Sequence, residues 1–239
     1  MKSNKLFVLV LQLLEKISVS IHETYIVSRI FIFNYKYFKK NKVTRRSVYI
    51  DCGSNLGQGY DFFSRYFPIS NFDHVLVEPN PFCVKVLKDK YRKNSINKTL
   101  SIIGKAADVK DGSALFYGLN NVNKGEYSDG ASIQEFHNSA LYPLDKDDAI
   151  EVETFDFSSF INDYHNKYEK IVVKMDIEGS EYGILNKLLE DGNAKYIDLI
   201  FVEFHSAYMV DKQKQTFSTL EKDLINSFRK LGVEFYIWR

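Results

Sequence analysis

Short apolar runs recur along this chain, separated by segments with helical spacing, and that alternation limits its fold more than any other feature. Val48–Cys52, Val75–Glu78, Leu100–Ile103, Ile171–Asp176, Leu199–Phe204 and Val233–Trp238 are rich in Val, Ile and Leu. Runs this short and this apolar are what parallel strands buried on both faces look like. Between them, Tyr60, Phe63 and Phe67, then Cys83, Leu87 and Tyr91, then Ile184, Leu185, Leu188 and Leu189 fall three or four residues apart. Phe217, Leu220, Leu224, Phe228 and Leu231 do the same before the last run. That spacing lines one face of a helix. Strands alternating with helices predict an α/β fold, a mainly parallel sheet flanked by helices. Residues 112–157 break the rhythm. Three β-like runs (Ala114–Tyr117, Ala131–Phe136, Ile150–Phe157) and a polar loop from Asn120 to Asp129 read as an antiparallel insertion beside the sheet.

The α/β pattern occupies residues 46–239, and residues 1–45 form a separate N-terminal helical segment. Residues 5–40 contain no Pro or Gly and are densely apolar, and they run into Lys36, Lys39, Lys40, Lys42, Arg45 and Arg46. Two roles suit such a segment. It packs on the sheet or on a second copy of the chain, or it lies on a membrane surface with its aromatics in the interface and its cations on lipid phosphates. No stretch reaches the ~20 apolar residues of a membrane span. Leu6–Leu14 after Lys2 and Lys5 resembles the front of a signal peptide, but Glu15 and Lys16 stand where a small-residue cleavage site belongs. The expected location is the cytoplasm, with membrane association through this segment as the alternative. A net charge of +1 gives no electrostatic footprint for nucleic acid. The two cysteines, Cys52 and Cys83, have no metal-ligand spacing and read as buried thiols.

Parallel sheets of this type bind ligands at the carboxyl ends of their strands. After the first strand comes Asp51-Cys52-Gly53-Ser54-Asn55-Leu56-Gly57. Its glycines allow a tight turn and close backbone approach, and the next helix offers free N–H groups. The spacing Gly-x-Asn-x-Gly differs from the Gly-x-Gly-x-x-Gly of dinucleotide binders. After the second strand, Glu78 is placed to accept hydrogen bonds from a ribose diol. Together these two features specify an adenosine-type ligand across the first two strands. After the fourth strand, Asp176, Glu178 and Glu181 cluster at the sheet's mouth, where their mutual repulsion needs an offset. After the fifth come Glu203 and His205, two apart and so on one side if the strand continues.

At these residues the sequence resembles the FkbM family of S-adenosylmethionine (SAM)-dependent methyltransferases. The resemblance spans about residues 46–238, and Asp176-Ile177-Glu178-Gly179-Ser180-Glu181 is its most specific element. It implies a Rossmann-like class I methyltransferase fold, SAM as donor, and O-methylation of a sugar, glycan or related small-molecule hydroxyl. By the same resemblance Asp51, Gly53, Ser54, Asn55, Gly57 and Glu78 hold the cofactor, Asp108 borders the adenine, and Asp176 and Glu178 lie near the transferred methyl. The usual fold ends in an antiparallel hairpin. Here the sequence stops at Trp238-Arg239, so either the sheet has six strands or the chain is truncated.

Transfer to a hydroxyl needs a base. His205 or Asp176 fills that role, with Glu203 orienting the imidazole; alternatively Asp176, Glu203 and His205 bind a divalent cation such as Mg2+. The overhanging insertion is the candidate for acceptor recognition. Two rival functions are an RNA ribose 2′-O-methyltransferase, using Lys174 and Asp176, and a non-catalytic SAM-binding scaffold. A nicotinamide-dependent oxidoreductase does not fit the glycine spacing.

Overall fold

The computed structural model describes residues 2–39, 46–92, 99–119, 128, 130–137, 149–209 and 211–238. It forms two units, Met1–Val43 and Thr44–Arg239. In the first, α1 (Lys2–Asn34) runs into a π-helical turn at Tyr35–Lys39. Its 33 residues extend ~50 Å at 1.5 Å per residue. Ile17, Ile21, Tyr25, Phe31, Ile32 and Tyr35 are exposed. Among the described residues no helix is long and apolar enough to cross a membrane. Lys40, Lys42 and Arg45 of the basic run lie outside the described residues.

The second unit is built on a six-stranded sheet. Its strands are β1 (Ser47–Cys52), β2 (Phe72–Val77), β3 (Leu100–Ile103), β7 (Ile171–Met175), β8 (Leu199–Val202) and β9 (Glu234–Ile237). Their order is β3-β2-β1-β7-β8-β9, and every pairing is parallel. Progression away from β1 reverses between β3 and β7, which makes the gap between β1 and β7 the switch point where loops diverge and a ligand crevice opens. Register brings the edges level there: Cys52 pairs with Val77 on one side and with Met175 on the other.

Period-two alternation divides the sheet's side chains between two faces. Val48, Ile50, Val173, Met175 and Val202 join a core with α4 (Phe157–His165), α5 (Glu181–Glu190) and α6 (Asp211–Lys230), through Phe157, Ile161, Leu185, Leu188 and Phe228. Tyr49 and Phe201 point the other way, onto Phe63 at ring separations of 6.1 and 4.9 Å. Asp51 and Lys174 follow the same parity, so two charged residues enter this aromatic face at the strand ends. The helix starts are readable from sequence. Asn80 accepts a hydrogen bond from Phe82 N at 3.0 Å, with Pro81 opening α3 (Pro81–Lys90). Asp156 caps α4 on Ser159 N at 3.0 Å.

Several boundaries differ from the sequence reading. The helix after β1, α2, covers only Gln58–Phe63, yet Phe67 beyond it is still buried. The fifth apolar run leaves the sheet at Val202, and a 3-10 turn follows at Ser206–Tyr208. The expected antiparallel insertion is a mixed three-stranded sheet. β5 (Gly112–Phe116) pairs antiparallel with β6 (Ile150–Asp156), but β4 (Ala106–Asp108) pairs parallel with β6. Ala131–Phe136 is not a strand. It contributes one bridge, Ser132 to Tyr117, because the Ser132 hydroxyl takes up Gln134 N and turns the chain. Most of the polar Asn120–Asp129 loop lies outside the described residues. β9 lies directly beside β8 in parallel, so the described sheet has six strands. Both cysteines are free and buried.

Candidate active site

The loops after β1 and β7 meet at the switch point. A Cβ on Gly53 would fall 1.6 Å from the Asp176 carbonyl oxygen, and Gly53 has φ +75°, so only glycine fits. Gly57 has φ +88°, and a Cβ there would fall 2.3 Å from the Tyr91 hydroxyl. Between the glycines, Asn55 also takes a left-handed backbone, φ 45°, and its N–H donates to Glu78 Oε2 at 2.7 Å. Glu78 Oε1 accepts from Asn80 N at 2.9 Å. Glu78 thus lies under the glycine loop, 5% exposed. Burial raises its pKa from 4.5 to about 7 despite the two backbone donors.

Beneath this loop sits a buried ion cluster. Asp51 and Lys174 are cross-strand partners, and Lys174 Nζ stands 3.4 Å from Asp51 Oδ1, 3.1 Å from Asp176 Oδ2 and 3.0 Å from the Gly53 carbonyl. Burial alone would strip the ammonium of its proton; Asp176 and Asp51 outweigh it and hold the pKa above the usual lysine value. Burial pushes Asp51 upward against the pull of Lys174. Among the described residues the Asp51 carboxylate oxygens accept no hydrogen bond.

On the other side of the β7 loop, Glu178 adopts φ 53°. Its Oε2 lies 2.9 Å from His137 Nε2 and 3.3 Å from His205 Nε2. His205 Nε2 is also 3.5 Å from Asp176 Oδ1, and its Nδ1 is 3.1 Å from Glu181 Oε1. Glu181 is fully buried and accepts from Gly179 N at 2.9 Å. Burial opposes charge on His205, but Glu181 and Glu178 prevail and hold its pKa well above the imidazole norm. Burial likewise opposes ionisation of Glu178, and the two histidines overcome it, bringing its pKa down to about 2.

Ser128 and residues 130–137 reach both loops. Asn55 Nδ2 donates to the Ser128 carbonyl at 3.1 Å, the Ser132 hydroxyl donates to the Glu178 carbonyl, and Gln134 Nε2 donates to Ser180 Oγ at 3.0 Å.

A family model described as the Methyltransferase FkbM domain matches residues 51–233, well over half of the chain. The chain belongs to the FkbM methyltransferase family. A solved structure of the methyltransferase FkbM from Methylobacillus flagellatus KT is 14% identical with a TM-score of 0.35; the match covers 63% of this chain and 32% of that one. The chain therefore spans about a third of that protein's length. No curated protein matches the chain.

Within this FkbM domain, the site residues read from sequence fall into two groups. Asp51, Gly53, Ser54, Asn55, Gly57 and Glu78 line the turn over β1 and β2, with Ser54 Oγ donating to the Asp51 carbonyl at 2.8 Å. Asp176, Glu178 and His205 converge, each offering a ligand atom within 4.8 Å of the others. Two assignments are corrected. Glu181, not Glu203, meets the imidazole of His205. The converging triplet contains Glu178 where the sequence reading had Glu203. The inference from Glu203 and His205 being two apart depended on a continuing strand, and β8 ends before either residue. Asp108 ends β4, the short strand that follows β3, and pairs with Asp156. His137 was missed. It lies in the insertion, far from the motif blocks, and no spacing connects it with Glu178.

Proposed function

We propose that this chain is a SAM-dependent O-methyltransferase acting on a hydroxyl of a sugar, a glycan or a related small molecule. The observation that carries this is the adjacency of two sites at one switch point. An acidic, glycine-lined turn suited to an adenosine lies over β1 and β2, and a carboxylate–imidazole cluster lies one loop away. SAM supplies an electrophilic methyl group on a sulfonium. The buried Glu78 fits its ribose diol, and Gly53 and Gly57 keep the wall free of side chains.

The protein's part is orientation and proton removal. Well-aligned reactants contribute roughly 7–11 kcal/mol to such a displacement. His205 is held protonated by Glu181 and Glu178, which disqualifies it as the base. Glu178, with its pKa near 2, is a weak base. Asp176 is the remaining candidate: a quarter exposed, with Oδ2 on Lys174 and Oδ1 toward the crevice cluster. We assign it the acceptor proton. Lys174, held charged by Asp176 and Asp51, serves as a fixed counter-ion; this weighs against the RNA 2′-O-methyl reading, in which Lys174 acts in the chemistry. Ser132, Gln134 and Asn55 give the covering segment hydrogen-bonding groups suited to a polyhydroxylated acceptor.

The test is incubation with methyl-labelled SAM and a panel of oligosaccharides, polyols and hydroxylated small molecules. Label in a base-stable methyl ether, lost in Asp176→Asn, is the expected result. Label found only in amines or thiols, or Asp176→Asn turning over at the wild-type rate, overturns the assignment.

A further inference from the structure

We propose that Asp176, Glu178 and His205 bind one divalent first-row transition cation of the Mn2+ kind, with Lys174, His137 and Glu181 as its outer shell. The proposal rests on the methyltransferase reading only for its role: an ion on Asp176 Oδ1 would lower the pKa of the acceptor hydroxyl in place of Asp176 acting as its base.

Three independent observations support it. First, the donor spacing matches a coordination sphere. His205 Nε2 lies 3.3 Å from Glu178 Oε2 and 3.5 Å from Asp176 Oδ1. Nitrogen and oxygen ligands about 2.0–2.2 Å from a shared ion stand roughly 3–3.5 Å from one another. Second, two of the three ligands are held from behind by a different side chain. Glu181 Oε1 takes the far nitrogen of His205 at 3.1 Å, which aims Nε2 at the two carboxylates. Lys174 takes Oδ2 of Asp176 at 3.1 Å, which turns Oδ1 inward. His137 Nε2 meets the ligating oxygen itself, Glu178 Oε2, at 2.9 Å. Carboxylates behind ligating histidines and hydrogen bonds behind ligating carboxylates are the usual supports of a metal site. Third, Glu178 holds a left-handed backbone, φ 53°, next to Gly179 at φ 106°. A non-glycine residue is strained in that region, and such strain concentrates where a side chain must be aimed.

The donor set also selects the metal. Mg2+ prefers oxygen ligands and retained water. An imidazole with two carboxylates suits Mn2+ and its neighbours, and it leaves positions for water or an acceptor oxygen.

The experiment is titration of the chelator-treated full-length chain with Mn2+, following loss of the free-ion electron paramagnetic resonance signal. S-adenosylhomocysteine (SAH) binding and circular dichroism are measured on the same samples. One Mn2+ per chain is expected, at least tenfold weaker in Glu178→Gln and in Asp176→Asn, and weakened several-fold in His137→Gln. Glu178→Gln should still bind SAH, which separates loss of the ion from loss of the fold. A chain that binds SAH but shows no saturable Mn2+ overturns the metal site and leaves the methyltransferase reading standing. A chain that binds Mn2+ but not SAH does the reverse. Wild-type Mn2+ affinity in both carboxylate variants overturns this assignment of ligands.

Discussion

Glu78 makes the pH dependence of stability a direct readout of the cofactor turn. Its carboxyl is almost fully buried, with a pKa raised from 4.5 to about 7, so the folded chain holds that proton more tightly than the unfolded chain does. The sign follows from linkage: between those values the native state binds more protons, and stability falls as pH rises. The contribution is complete below about pH 4.5 and lost as pH passes through about 7. Each tenfold change in proton affinity is worth about 1.4 kcal/mol, so the full loss is ~3 kcal/mol. Glu78→Gln removes the titration. The amide nitrogen it places opposite Asn55 N or Asn80 N costs about 1–3 kcal/mol, but that offset is the same at every pH. Urea unfolding of both proteins from pH 4 to pH 8 should show the difference between them shifting by ~3 kcal/mol, the wild type losing that much relative to the variant as pH rises. Parallel curves, within about 0.5 kcal/mol across the range, would refute the burial argument for Glu78.

Other consequences are equally specific. Because a diol donates its hydrogen bonds to the ionised carboxylate, SAH affinity should rise about tenfold from pH 6 to pH 8 in calorimetric titration and stay flat in Glu78→Gln. Lys174→Met leaves Asp51 buried without its cation and should cost about 3–5 kcal/mol in chemical denaturation, much of it recovered by adding Asp51→Asn. Gly53→Ala forces a Cβ onto the Asp176 carbonyl and should abolish SAH binding, in contrast to Gly192→Ala, which meets nothing within 4 Å. Asp176→Asn should lower kcat by roughly 10²–10⁴-fold, as removal of a general base does.

Most of the architecture was legible because it depends on local patterns. The runs at Val48, Ile171 and Leu199 are fully buried strands, the run at Leu100 is a partly buried edge strand, and Asn80-Pro81 marked a helix start. The glycine turn and Glu78 were legible for the same reason, since each directly follows a strand whose position was already fixed. The parts that escaped depend on contacts distant in sequence. Glu181 reaches His205 across the gap between β7 and β8, and alternation along one strand carries no information about that pair. His137 reaches Glu178 from an insertion whose polar sequence showed no period. Ala131–Phe136 has strand-like composition, yet Ser132 bonds forward to Gln134 and diverts the chain over the crevice. There local hydrogen bonding prevailed over β propensity.

In the function proposed, the turn over β1 and β2 binds the adenosine half of SAM. Isothermal titration of the full-length chain with SAH at pH 8, beside Glu78→Ala, tests it most directly. One saturable site per chain is expected in the wild type, and its loss in a variant that keeps its circular dichroism spectrum. A folded wild type that takes up no SAH, or a Glu78→Ala protein that binds it equally well, would contradict it.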